Sequence, residues 1–155
     1  MAATNRSVVY STQITHIGSG ASMAAGVMSA STDVSTALAS TNLGRYDRAD
    51  VALFLSATGS VSSASNIVIL YRRDINFDST NDEPTLGTIA TNAAYSAHFC
   101  AAVPIPAWSS ASTGYFNVLD VPISDQCEFF IQNNTNTGIG LGWTLKVTPK
   151  TDSFA

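Results

Sequence analysis

The chain is short of charge. Seven Lys and Arg together with eleven Asp and Glu make up 12% of its 155 residues, about half of what soluble domains usually carry. With five Arg, two Lys and a net charge of −4, there is no basic stripe to neutralise a run of phosphates, which excludes nucleic acid as a direct partner. Long apolar runs are lacking too. No stretch reaches the ~18–20 residues of a membrane span, and Met1–Ser11 has no apolar core of the kind a secretory signal needs, so no membrane partner is expected. Only two cysteines occur, Cys100 and Cys127; they suit a folded protein made in a reducing cytosol, with a Cys100–Cys127 bridge left as the minor alternative. Helical periodicity long enough to cross between parallel strands is also missing.

What fills the sequence instead is 20 Ser, 17 Thr, 10 Asn and 21 Ala, so the polar exterior is made of hydroxyls and amides. The length suits one domain with one core. Between Arg6 and Asp33 only His16 can carry charge, and between Glu83 and Asp120 only His98 can. Such stretches do little to discourage strand pairing with neighbours. Packed on a partner, the same residues are favourable, because desolvating Ser, Thr and Ala costs far less than desolvating Lys or Glu. The composition therefore points to a permanent assembly rather than a free monomer.

Strand signals dominate. Val8, Tyr10, Thr12 and Ile14 alternate with Val9, Ser11 and Gln13, and Asp50–Ala57 places Val51, Leu53 and Leu55 on one face with Phe54 opposite. Asn66–Arg72, Tyr95–Val103, Gly114–Val121 and Gln126–Asn133 follow, and the last strand sets Leu141, Trp143, Leu145 and Val147 against Gly142, Thr144, Lys146 and Thr148. Gly18–Asn42 breaks the pattern with small residues and a patchy spacing of Met23, Val27, Val34 and Leu38. It reads as a short helix or, preferably, as an extended arm lying on another surface, with those four residues as its contacts. The expected fold is an all-β antiparallel sandwich of jelly-roll or Greek-key type, with residues 1–42 as an N-terminal strand and Ala/Ser/Thr-rich arm and residues 43–155 as the sandwich; a closed barrel is the alternative.

Motifs for chemistry are weak. Asp74, Asn76, Asp78 and Asp82 recur at alternate positions as calcium ligands do, but Ser79 stands where the loop needs Gly and Thr85 where it needs a bidentate Glu. A solvated acidic turn, ion-paired with Arg72 and Arg73, is the preferred reading, with those four residues as the minor calcium alternative. His98 and Cys100 share one face of a strand with no orienting third group, so Cys100 reads as a small buried hydrophobe and His16 as a surface or interface residue. Gly138, Gly140 and Gly142 lack the strand-then-helix setting of dinucleotide binding, and Asp120, Asp125 and Glu128 fix no paired-carboxylate geometry by spacing alone. No catalytic residue, metal or cofactor is expected. Trp143 belongs to an apolar strand face and reads as core, while Trp108, in a Pro-flanked loop, and Tyr115 read as exposed anchors for a partner.

The run Val121-Pro-Ile-Ser-Asp-Gln-Cys-Glu-Phe-Phe-Ile-Gln-Asn-Asn-Thr, a Gly-rich turn, and Gly142-Trp-Thr-Leu-Lys-Val-Thr-Pro149 resemble the strand–turn–strand ending of small β-sandwich structural proteins of tailed bacteriophages, notably capsid decoration (cement) proteins. The resemblance covers Gly44–Pro149 at the level of strand pattern and composition. It implies a homotrimer on the virion surface, bridging capsomers formed by the major capsid protein and reinforcing the head. The alternative reading is a carbohydrate-binding or receptor-recognition module of a phage tail that uses Trp108 and Tyr115.

Overall fold

A computed structural model describes residues 6–58, 60–61, 66–75, 99–108 and 112–154. The chain forms eight strands: β1 (Arg6–Tyr10), β2 (Ile14–Gly20), β3 (Arg48–Ser56), β4 (Ile67–Asp74), β5 (Phe99–Pro104), β6 (Thr113–Pro122), β7 (Cys127–Asn134) and β8 (Trp143–Phe154). Two antiparallel sheets pack into an all-β sandwich. One has the order β1-β8-β3-β6, and β2 pairs the same β8 further along, so β1 and β2 lie end to end beside its twelve residues. The other has the order β5-β4-β7.

Period-two alternation produces the core. On β3 the buried residues Ala49, Val51, Leu53 and Leu55 alternate with Arg48, Asp50, Ala52, Phe54 and Ser56. β8 buries Trp143, Leu145 and Val147 beside them, and Val68, Leu70, Val103, Phe129 and Ile131 meet them from the other sheet. Trp143 is fully buried, and its indole Nε1 donates to the Ala21 carbonyl at 2.9 Å. Gly20 makes room for it: a Cβ there would overlap the indole ring. Leu141, expected to continue this apolar face, lies in the turn before β8 and is exposed.

Strand pairing is nested. β2 pairs β8 and β3 pairs β6, while β4 pairs β5. Residues 23–38 occupy the remaining place, bridging β7 at Met28↔Gln132 and Leu38↔Cys127. Gly18–Asn42 is therefore neither a helix nor an arm on another surface. It holds one 3-10 turn (Ser31–Asp33) and one helical turn (Ser40–Leu43), and otherwise runs extended along its own sandwich. Nor is residue 42 a domain boundary, because Ile17, Met23, Leu38 and Leu43 belong to the same core as β3 and β8.

Candidate interaction surfaces

The free edge of β7 presents the amides of Cys127, Phe129, Ile131 and Asn133, and each finds an acceptor within residues 16–38. Cys127 N–H donates to the Leu38 carbonyl at 3.0 Å and Asn133 N–H to the Val27 carbonyl at 2.9 Å. Ile131 N–H donates to Ser29 Oγ at 3.1 Å, and Phe129 N–H to His16 Nε2 at 3.1 Å. Side chains replace backbone where the segment is not a regular strand, which keeps buried donors satisfied. The Asn133 side chain anchors the far end, its Nδ2 donating to the carbonyls of Ala24 and Thr137 at 3.1 and 2.7 Å.

His16 is not the surface residue its isolation in the sequence suggested, because its ring is fully buried. Nδ1 lies 2.8 Å from the Thr36 carbonyl, which can only accept, so Nδ1 carries the proton and Nε2 is free to accept from Phe129. Burial holds the imidazole pKa below its ordinary value, against the raising influence of the Thr36 carbonyl and the Glu128 carboxylate. This neutral ring ties β2, the edge segment and β7 together.

The anchors expected for a partner separate into different environments. Met23 and Leu38 are buried in the chain's own core, which removes them as contacts for a neighbour. Val34 packs half-buried on the same core through a bridge to Ile17, while Val27 remains 45% exposed. Trp108 is also corrected. Its backbone bridges Val61, its ring lies 5.6 Å from that of Phe116, and it packs on the core half-buried. Gly114 provides the slot, since a Cβ there would come within 2.5 Å of the Trp108 ring. Tyr115 alone among the expected aromatic anchors stands in solvent, 79% exposed on the outer face of β6.

That outer face has two parts. At one end Arg48 bonds Asp120 at 2.9 Å and Asp152 at 2.6 Å, and Lys150 bonds Asp50 at 2.5 Å and Asp120 at 2.9 Å. Asp120 takes a positive φ of 57°, which lets its backbone N–H reach Asp50 Oδ1 at 3.0 Å. The hydrogen bond from Lys150 and the nearby charges of Lys150 and Arg48 hold the Asp120 carboxyl below its usual range. Burial works against the Lys150 ammonium, but its bonds to Asp50 and Asp120 outweigh burial and raise its pKa. At the other end the rings of Phe54 and Tyr115 lie 4.7 Å apart, beside Lys146, Thr144 and Ala52. The sequence alone did not single out Phe54 or Lys146 for a site; their shared face shows in the alternation of β3 and β8, but their adjacency needs the register.

The remaining expected sites are structural or fall outside the described residues. Asn76, Asp78, Asp82 and His98 lie outside them. Asp74 is held by Arg72 at 3.1 Å and Ser124 at 2.6 Å, and Glu128 pairs with Arg73 at 2.7 Å. Among the described residues no group of three or more His, Cys, Asp or Glu is placed to hold a metal. Cys100 and Cys127 lie on β5 and β7, not joined to each other, with β4 between them. Two inter-strand spacings of about 4.8 Å exceed the reach of a disulfide. Burial pushes their pKa values up to about 11 and about 12, the opposite of an activated nucleophile. No helix among the described residues is long and apolar enough to cross a membrane. No protein-family model, curated protein or solved structure matches the chain.

Proposed function

We propose that the protein is a non-catalytic structural subunit of a virion, a decoration (cement) protein that forms a homotrimer on the head surface and bridges capsomers of the major capsid protein. The observation that carries this reading is the nested pairing: first strand with last, second extended segment with penultimate, third strand with sixth, fourth with fifth. Rolling one long antiparallel ribbon onto itself gives that order, which supports reading the sandwich as a jelly roll, an architecture recurrent in viral shells and lectins. Fold alone does not fix function, so the assignment leans equally on the surface. Away from the outer face of the five-stranded sheet, Val27 beside the β7 edge and Phe99 on β5 are exposed apolar residues, which suits contact with copies and a larger shell. Several modest contacts engaged at once would give tight attachment. Synthesis in the host cytoplasm and final location on the capsid follow from this role.

Multi-angle light scattering on the purified chain tests the proposal between about 1 and 100 µM, the range in which weak contacts saturate. A trimer is expected. A monomer across the whole range overturns it.

A further inference from the structure

The outer face of the five-stranded sheet carries a feature that shell assembly does not call for. The registers Phe54↔Tyr115 and Phe54↔Thr144 set one cross-strand row, Thr144–Phe54–Tyr115. Beside it, Thr15↔Lys146, Lys146↔Ala52 and Ala52↔Asn117 set a second, Thr15–Lys146–Ala52–Asn117. The two rings are tilted by 40° and open onto a shallow depression of about 220 Å³ lined by Ala52, Phe54, Tyr115, Thr144 and Lys146. Among the described residues Lys146 has no ionic partner, whereas Lys150, four residues along β8, is held by two carboxylates.

We propose that this depression binds a carboxylated sugar, with the apolar ring face on Tyr115 and Phe54 and the carboxylate on Lys146. Three features select that class. An exposed aromatic face takes up the C–H side of a sugar while leaving its hydroxyls free at the rim. Thr15, Thr144 and Asn117 offer both donors and acceptors there, which matches a ring bearing hydroxyls on several carbons. A single unpaired cation adds preference for an anion at short range. A nucleic acid needs a groove of several cations, and Lys146 is alone here. A second copy of the chain needs about 800 Å² with an apolar centre, whereas the apolar lining of this depression is Phe54, Tyr115, Ala52 and Leu53.

Calorimetric titration of the full chain with an oligogalacturonate and with its uncharged methyl ester tests the site and does not depend on the virion role. The acid is expected to bind about tenfold more tightly than the ester, a difference erased by Lys146→Gln and by raising salt from about 50 mM to about 0.5 M. Tyr115→Ala is expected to abolish binding of both; Tyr115 is so exposed that the fold survives, which the near-ultraviolet circular dichroism of Trp108 and Trp143 verifies. Absence of binding to either probe by the native chain overturns the proposal. So does binding unchanged in Tyr115→Ala, or a Tyr115→Ala variant that dissociates an oligomer, which would give the face to a second copy instead.

Discussion

The outward edge of β7 and the Tyr115 end of the outward face of the five-stranded sheet are both low in charge, yet they end up in opposite conditions. Along β7 the amides of every second residue need acceptors, and the chain supplies them from Val27, Ser29, Leu38 and His16. On the outer face of β3, β8 and the edge strand β6 the side chains point away from the other sheet, so Tyr115, Asn117 and Leu119 stand in water. Scarcity of charge thus has two separate causes. In the first region small neutral residues are hidden by the chain itself, because an open strand edge would leave buried donors unmet and invite pairing with strangers. Only in the second region does the lack of charge leave a surface for something else to cover.

Removing residues 1–42 should break the comparison most severely. β8 would lose β1 and β2, the β7 edge would open, and Ile17, Met23 and Leu38 would leave the core. A domain's whole net stability is only about 5–15 kcal/mol, and each lost Leu-sized core side chain costs about 2–5 kcal/mol. The truncated chain should show no cooperative urea transition in the fluorescence of Trp108 and Trp143; a sharp transition would mean the segment is dispensable. His16→Ala comes next, at about 3 kcal/mol, because it leaves Phe129 N–H buried without an acceptor and opens a small void. The same ring sets a pH dependence. The unfolded chain takes up the His16 proton near pH 6.5, while the folded chain resists it to lower pH, so protons are bound on unfolding. Stability should therefore be complete above about pH 6.5 and decline as pH falls below it, and His16→Ala should remove that slope between about pH 5 and 7. A native chain equally stable at both ends of that window would contradict the buried neutral imidazole.

Much of the sandwich was legible where a strand has one dry and one wet side. The alternations on β3 and β8 placed Val51, Leu53, Leu55, Trp143, Leu145 and Val147 inside, where they are found. Residues 18–42 were illegible for a physical reason: they satisfy β7 partly through the Ser29 hydroxyl, beside the ring of His16 that precedes them, and such bonds impose no period on the sequence. Trp108 misled because a tryptophan in a Pro-flanked loop has no partner until Gly114, on another strand, opens the slot that receives its ring. The depression beside Tyr115 was half visible. Tyr115 itself was read as exposed, but Phe54 and Lys146 become its neighbours only through two strand registers that local sequence does not encode.

The smallest expected effect sharpens the open side of the comparison. Asp120→Asn keeps a residue that tolerates the positive φ of this position, so it changes the charge while sparing the backbone. The carboxyl titrates below its usual range in the folded chain because Lys150 and Arg48 hold it ionised. Its contribution is therefore present above about pH 3.9, the unfolded value, and disappears as pH falls through the folded value. Asp120→Asn should lower Tm slightly at pH 7 in dilute salt, and the difference should shrink in high salt and on acidification from pH 7 to about pH 3. An equal difference at both pH values would mean that Asp120 acts through geometry alone. If the charge does carry the effect, freeing Lys150 from one of its two carboxylates places a second cation on the face four residues from Lys146. The variant then should not weaken binding of an acidic sugar, which separates the ion cluster as a fastening of the sheet from the depression as a place for a ligand.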